Sequence, residues 1–277
     1  MIKLAKGELH IILAACILAL LIISLFWVTN RGGTPEYTLK PPAPINRTLT
    51  MTETSNPEDS EKTPANPLIL EQSTITNHGL AKLSGPADVK ALVFGGAVAE
   101  SQGATHKEDL GWHALVSKAL LDKYPGNFQW LFKTTENATI NAISAYAPEA
   151  TQDTDLIILC LGRNDWATVT TDDFKHKYEE LLVELNVRSP DANIFLVVEP
   201  PVKNVANNNK SFPYRQVIIE LGKKHQLPVI DQWTAFINDP TPLAGLLADG
   251  VDPNDKGYQV FAAEVVEAFE KYLMGEC

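Results

Sequence analysis

The sequence predicts an α/β domain of three layers, in which helices cover both faces of a parallel five-stranded sheet. From residue 88 onward, short apolar runs alternate with longer stretches whose apolar residues recur at helical spacing. Strands and helices that alternate in this way form right-handed βαβ units and therefore a parallel sheet. Ligands bind such a sheet beyond the carboxyl ends of its strands, so the loops that follow the strands are the candidate functional segments.

Five apolar runs are predicted to be the strands, because each is short and rich in β-branched or aromatic residues. They are residues 89–94 (VKALVF), 128–133 (FQWLFK), 155–161 (DLIILCL), 193–199 (NIFLVVE) and 227–231 (LPVID). The amphipathic stretches around them predict helices within residues 110–124, 170–188, 213–225 and 256–275. A Thr-Asp-Asp start before Phe174 and a Ser-Pro stop after Arg188 delimit the second of these helices.

An unbroken apolar run at residues 11–28 (IILAACILALLIISLFWV) is long enough to cross a bilayer as a helix. It exceeds the apolar region of a typical cleavable signal and lacks an Ala-x-Ala exit, so we expect an uncleaved signal-anchor. Lys3 and Lys6 precede the run and Arg31 follows it, which favours a short cytoplasmic N-terminus, residues 1–10. The expected location is the cell membrane, with a single pass and the C-terminal domain outside the cytoplasm.

Residues 13–16 (LAAC) resemble a bacterial lipoprotein box, and lipidation of Cys16 is the alternative anchor. A cleavable segment has about 7–15 apolar residues before its cut. Few apolar residues precede Cys16, and the run continues well beyond it. The transmembrane anchor is therefore preferred.

Residues 29–87 have a different composition, rich in Pro, Thr, Ser, Asn and Glu. Such a segment cannot bury enough apolar surface to offset its ordering entropy, so we expect a flexible tether. Only the short run at residues 68–70 (LIL) is expected to dock on something. The folded domain is accordingly expected to span residues 88–277.

Charge and cysteine usage exclude several function classes. The net charge of −11 argues against a nucleic-acid partner, because such binding needs clustered Lys and Arg. Cys16, Cys160 and Cys277 lie too far apart for a disulfide framework or a metal site, and the six histidines form no ligand motif. No metal, cofactor or nucleic acid is expected, and the sequence identifies no protein partner.

Three motifs occupy the predicted loops in a fixed order. They are GGAVAESQGA at residues 95–104 with Gly111-Trp112 after it, LGRNDW at residues 161–166, and DGVDPNDKGYQVFAAEV at residues 249–265. Together they resemble the opening, GxND and DGxHPNxxGY blocks of the SGNH, or GDSL-like, hydrolase family over nearly all of residues 88–277. The resemblance implies the flavodoxin-like SGNH hydrolase fold and ester hydrolysis by a serine nucleophile.

The resemblance also assigns roles to individual residues. In the family a serine attacks the ester, a histidine is its base, an aspartate orients the histidine, and an asparagine helps to form the oxyanion hole. Asn164 matches the asparagine, and Asp249 matches the aspartate. Ala97 stands at the nucleophile position, preceded by Gly96 where the family has aspartate. Asp252 stands at the position of the catalytic histidine.

These substitutions predict that hydrolysis by the family's mechanism is lost. Ala97 has no group that attacks a carbonyl, and Asp252 is a weak base because a carboxyl pKa is ordinarily about 3.9. Repulsion from Asp249 restores basicity only in part and supplies no nucleophile. The second block, residues 133–139, lacks the family's glycine. Ser101 is the nearest hydroxyl and the candidate replacement nucleophile, although it falls at the family's second glycine position.

The expected function is that of a membrane-anchored, extracytoplasmic binding or scaffolding module of the cell envelope. Gly96, Arg163 and Trp166, with Asn164, are expected to contact an acylated carbohydrate or lipid. The first alternative is an active esterase, acyl hydrolase or acyltransferase that uses Ser101. The second is a purely structural domain that assembles with membrane partners.

A structural role competes for the polar residues of these blocks. An Asn-Asp pair at the end of a strand, such as Asn164-Asp165, often caps the next turn through bonds from side chain to backbone. Asp249 and Asp252 are likewise candidates to cap the last helix.

Overall fold

Residues 78–276 are described by a computed structural model and form a five-stranded parallel sheet in the order β2-β1-β3-β4-β5. The strands are β1 (Val89–Gly95), β2 (Phe128–Thr134), β3 (Leu156–Cys160), β4 (Asn193–Val198) and β5 (Val229–Asp231). All neighbouring strands pair in parallel; Val93 of β1, for example, lies opposite Phe132 on one side and Ile158 on the other. The predicted parallel sheet and its five strands are confirmed.

Helices cover both faces of this sheet. Within residues 78–276 they are α1 (Lys107–Leu110), α2 (Trp112–Leu121), α3 (Ile140–Ser144), α4 (Thr171–Arg188), α5 (Val205–His225), α6 (Gln232–Asn238) and α7 (Asp255–Met274). One buried cluster joins the sheet to Trp112 of α2 and Phe261 of α7. A second cluster joins the opposite face to Phe174 of α4 and Ile218 of α5. The three-layer α/β/α architecture is therefore confirmed.

Helix α5 begins earlier than its apolar pattern indicates. The predicted start lay at residue 213, but the helix begins at Val205 and contains Pro213 in its interior. The side chain of Asn204 caps it by accepting hydrogen bonds from the N–H groups of Ala206 and Asn207. The added turns are mostly polar and exposed, so they carry no hydrophobic periodicity.

The ordered domain also begins before the expected boundary at residue 88. Residues Gly79–Ser84 form a 3-10 helix in which Leu80 and Leu83 are fully buried. The Leu80 N–H donates to Asn193 Oδ1 at 2.7 Å, and Lys82 is ion-paired with Asp155. Two buried leucines fix this segment although its surroundings in the sequence are polar, so the tether as predicted was too long at its C-terminal end.

Most predictions about the N-terminal part concern residues outside the described range. These are residues 1–10, the membrane anchor at 11–28 with the alternative lipidation site Cys16, and the tether up to residue 77. Among residues 78–276, no helix combines the length and the apolar character needed to cross a membrane.

Candidate active site

Loops from separate parts of the chain meet at the carboxyl edge of the sheet. A methyl group placed on Gly96, after β1, would lie 3.2 Å from the Cβ of Ala138, after β2. Asn164, after β3, donates from Nδ2 to the Ala138 carbonyl at 3.3 Å. Its neighbour Arg163 donates from Nη2 to Asp252, before α7, at 3.0 Å. The structure therefore brings together the residues that the three sequence blocks contribute.

Two contacts fix the opening loop to the closing loop. Thr105 donates from its N–H and its hydroxyl to the carboxylate of Asp255, both at 2.7 Å. The Tyr258 hydroxyl donates to the carbonyl of Gln102 at 2.7 Å. Both partners in the closing loop belong to the first turn of α7, so this helix sets the distance between the two loops.

Ala97 begins the tight turn that follows β1. Its carbonyl accepts the N–H of Gln102 at 2.8 Å, and its side chain is half-buried. Two residues earlier, position 95 has to be glycine, because a Cβ there would lie 2.6 Å from the Cys160 carbonyl oxygen of β3. A methyl group thus stands where the family presents its nucleophile.

The Ser101 hydroxyl caps the first turn of helix α2. Ser101 is fully buried, its φ is +59°, and its Oγ accepts the Trp112 N–H at 3.1 Å. An oxygen that accepts a free N–H of the first helical turn is a capping group. In the described part of the chain, this hydroxyl makes no hydrogen bond to an imidazole or a carboxylate.

Asn137 adopts a left-handed backbone conformation within the second block, which contains no glycine. Its φ is +52°, in the left-handed region, where Asn is among the few residues other than glycine that are readily accommodated. The loop then continues to Thr139, whose side chain caps α3 by accepting the Ala142 N–H. The absence of glycine hides this turn in the sequence, and Asn137 was the available signal for a left-handed position.

Arg163 lies between two carboxylates. Its Nη2 is 3.0 Å from Asp252 Oδ1, its Nη1 donates to the Val251 carbonyl at 2.9 Å, and its Nε is 3.8 Å from Glu199 Oε1. Its backbone N–H donates to Glu199 Oε2 at 3.0 Å. The side chains of Arg163, Asp252 and Glu199 are only 12%, 11% and 6% exposed. Asp252 therefore takes part in a nearly buried ion cluster.

The charges of this cluster stabilise one another. Burial by itself lowers the pKa of Arg163, but Glu199 and Asp252 outweigh it and hold that pKa above its ordinary value. Burial raises the pKa of Glu199, and the Arg163 guanidinium opposes part of that rise. Asp252 Oδ1 is therefore engaged by the Arg163 guanidinium and is not paired with a hydroxyl nucleophile among the described residues.

Asp249 stabilises the turn before Asp252 rather than the last helix. Its Oδ1 accepts the N–H groups of Asp252 and Val251, both at 2.8 Å, and these bonds lower the pKa of Asp249. Helix α7 is capped instead by Asn254, whose side chain accepts the N–H groups of Lys256 and Gly257. Capping of the last helix by Asp249 or Asp252, the structural alternative considered for them, is therefore wrong.

Asp165 is a buried structural residue. It is 0% exposed, its Oδ1 accepts the Ile140 N–H at 2.7 Å, and its Oδ2 is buried without a partner among residues 78–276. Burial raises its pKa to about 7. Asp165 thus joins the loop after β3 to the start of α3, while the neighbouring Asn164 keeps its amide at the site.

Trp166 lies beside helix α5. The indole is half-buried in the 3-10 turn Asp165–Ala167, and Lys210 Nζ lies 4.2 Å from the centroid of its ring. Of the expected ligand-contact residues, Arg163 and Trp166 lie in the same loop after β3, with Arg163 paired to its two carboxylates, and Gly96 is buried beside Ala138.

A small cavity of 20 Å³ adjoins the ion cluster. Its lining includes Arg163, Glu199 and Arg215, and the buried Arg215 Nε has no partner in the described part of the chain. Such a volume has room for about one water molecule. Sequence reasoning missed Glu199 and Arg215; the available signal for Glu199 was a charge at the end of an apolar strand.

The described residues contain no group of three or more His, Cys, Asp or Glu side chains placed to bind a metal ion. The carboxylates nearest the site, Asp252 and Glu199, are turned to Arg163 instead.

Solved structures of several hydrolases share this fold. A lipase/acylhydrolase from Enterococcus faecalis is 18% identical, with a TM-score of 0.57 over 66% of this chain and 96% of that one. A two-domain esterase active on acetylated mannans, co-crystallised with mannopentaose, is 16% identical, with a TM-score of 0.57 over 70% of this chain and 52% of its own. A lipolytic protein of the G-D-S-L family from Veillonella parvula is 16% identical, with a TM-score of 0.53 over 66% and 99%.

At these identities the similarity establishes the fold alone. A search of curated proteins returns no match. The model of the GDSL-like lipase/acylhydrolase family, however, matches residues 93–260, which is more than half of the chain and includes the first two sequence blocks and residues 249–260 of the third. The chain therefore belongs to the GDSL-like lipase/acylhydrolase family.

Proposed function

We propose that this protein is a membrane-anchored, extracytoplasmic member of the family that has lost ester hydrolysis and acts as a binding or scaffolding module of the cell envelope. The observation that carries the proposal is the pair of changes at the reacting positions. Ala97 begins the nucleophile turn, and Asp252 is ion-paired to Arg163 at 3.0 Å. Neither position offers the chemistry that the family's mechanism needs.

Ester hydrolysis of this type requires a nucleophile, a base within hydrogen-bond reach, and fixed donors for the developing oxyanion. The donor group Asn164 is retained. The Ser101 hydroxyl, the only nearby substitute considered, accepts the Trp112 N–H inside the protein at 3.1 Å. A scaffold with donors but without nucleophile and base is suited to binding an acyl group or a sugar without turning it over.

An acylated carbohydrate is the ligand class that we favour over a lipid. Among the structures with the same fold, the esterase active on acetylated mannans was crystallised with mannopentaose. Asn164 and Trp166 supply an amide and an aromatic ring at the carboxyl edge of the sheet in this chain.

The membrane anchor is part of the same proposal and rests on the apolar run at residues 11–28. Membrane fractionation and protease treatment of intact cells test it. Recovery of the chain in the membrane fraction, with the C-terminal domain digested from outside, is the expected result. Recovery in the soluble fraction, or protection of the domain in intact cells, would contradict it.

The test of lost hydrolysis uses the full chain in detergent, with p-nitrophenyl acetate and a fluorophosphonate probe. We expect no turnover above the buffer rate and no labelling. Labelling that is lost in Ser101→Ala and kept in the control Ser144→Ala would refute the proposal and establish the alternative of a relocated nucleophile. Thermal unfolding of each variant verifies that it is folded.

A further inference from the structure

Two lysines border the loops that carry Arg163 and Asp252. Lys203 donates its backbone N–H to the Gly250 carbonyl at 2.8 Å, so it adjoins the loop that carries Asp252. Lys210 Nζ lies 4.2 Å from the ring centroid of Trp166, so it adjoins the loop that carries Arg163. Each lysine thus borders one of the two loops that form the centre of the site.

The charges of Lys203 and Lys210 are not neutralised by neighbouring carboxylates. Both side chains are exposed, and neither is ion-paired with a carboxylate of residues 78–276. The indole of Trp166 holds the Lys210 ammonium by a cation–π contact, which positions the charge without neutralising it. The chain as a whole carries a net charge of −11, so two cations without an ion pair beside the site set it apart from the acidic remainder of the chain.

The segment between the lysines is rigid and rich in amides. Asn208 accepts the Val202 N–H at 2.9 Å and donates to the Val202 carbonyl at 2.8 Å, which fixes the loop before α5 to the first turn of that helix. Asn207 and Asn209 on either side are exposed. Free amides both donate to and accept from hydroxyl groups. Unpaired ammonium groups with amides between them match a ligand that has both carboxylates and hydroxyls.

We propose that this rim, formed by Trp166, Lys203, Asn207 and Lys210, binds an acidic oligosaccharide. The inference rests on the proposed binding function and specifies its ligand as a sugar that carries carboxylates.

The two lysines are not equivalent within the rim. The exposed carboxylate of Asp249 precedes Gly250 and reduces the local positive charge near Lys203. Lys210 lies over a neutral ring instead. Lys210 is therefore expected to contribute more to binding than Lys203.

The test is calorimetric titration of the full chain in detergent with a galacturonic acid hexamer and, separately, a neutral mannose hexamer. We expect the acidic hexamer to bind more tightly and its affinity to fall with added salt. The double variant K203Q/K210Q should weaken binding of the acidic hexamer by about fivefold to thirtyfold and leave the neutral hexamer unaffected. K210Q alone should have the larger single effect.

The control is K118Q/K223Q, which removes the same charge from two exposed lysines without ion pairs among the described residues. Lys223 lies near the end of α5, at the opposite edge of the sheet, so the control should bind like the natural chain. Equal affinity for both hexamers, equal loss in the control, or no binding of the acidic hexamer would overturn the inference. Turnover of an ester probe would overturn the proposed function instead, so the two failures are distinguishable.

Discussion

Arg163 Nη2 lies 3.0 Å from Asp252 Oδ1, so the position of the family's catalytic histidine is joined to the loop that carries its oxyanion-hole asparagine. Both side chains are nearly buried, and Glu199 lies on the other side of the guanidinium. The substitution at residue 252 therefore belongs to a cluster of three charges. Any attempt to rebuild the catalytic machinery has to take the whole cluster into account.

Rebuilding the nucleophile and base alone is expected to fail. In A97S/D252H the guanidinium of Arg163 would stand beside the new imidazole and lower its pKa, which weakens it as a base. The triple variant A97S/D252H/R163Q removes that charge and keeps an amide donor near Glu199. We expect the triple variant to hydrolyse p-nitrophenyl acetate at least about tenfold faster than the double variant. A double variant as fast as the triple would show that Arg163 does not interfere.

Removal of Arg163 is expected to destabilise the domain. In R163A the carboxylates of Glu199 and Asp252 lose their cation in a nearly buried place, at a cost of about 3 kcal/mol in the free energy of unfolding. Denaturant titration measures it. The variant R163A/E199Q/D252N removes the uncompensated charges and should regain part of the loss. A triple variant no more stable than R163A would contradict the electrostatic cause.

Asp165 is expected to make stability dependent on pH. Its pKa rises from an ordinary 3.8 to about 7 because burial disfavours the charged form. A raised pKa in the folded state contributes stability that is complete below the unfolded pKa and is lost as the pH rises through the folded pKa. The stabilisation that comes from protonated Asp165 should therefore be complete below pH 3.8 and largely lost above pH 7.

The variant D165N keeps an oxygen for the Ile140 N–H and removes the charge. It should match the natural chain at low pH and exceed it at pH 8 by on the order of a few kcal/mol, since one pKa unit corresponds to about 1.4 kcal/mol. Unfolding free energies from pH 4 to pH 8 provide the measurement. A difference that does not vary with pH would refute the assignment to Asp165.

Replacement of Asn137 by a residue that disfavours the left-handed region is expected to lower the stability of the domain. Its φ of +52° costs an alanine about 1 kcal/mol, so N137A should be less stable by that amount. N137G should be close to the natural chain, because glycine adopts this conformation freely. Thermal unfolding of the two variants in parallel separates a backbone effect from a side-chain effect. If loss of the Asn side chain were the cause, N137A and N137G would be destabilised equally.

Much of the fold was predictable because its signals are local. The strands are short apolar runs, and the long helices show apolar periodicity. The exposed first turns of α5 lack that periodicity, so the helix start at Val205 was missed. The 3-10 helix Gly79–Ser84 was missed because two buried leucines stood in a polar segment.

The site was predictable only in part, for a different reason. The positions of Ala97, Asn164 and Asp252 follow from motifs, but the partners of their side chains depend on contacts between residues far apart in the chain. Arg163 and Asp252 are 89 residues apart, and no local pattern indicates that they pair. The same applies to Ser101, whose bond to Trp112 depends on how the loop turns toward α2.

Residue 78, at which the described part of the chain begins, lies at the edge of the sheet opposite the candidate site. The 3-10 helix that follows contacts Asn193 and Asp155, at the starts of β4 and β3, and the Leu83 carbonyl accepts the Gly126 N–H just before β2. These are the amino ends of the strands, and Ala97, Asn164 and Asp252 lie at the carboxyl ends. The described chain therefore begins at the amino edge of the sheet, whereas the rim of Lys203 and Lys210 lies at the carboxyl edge.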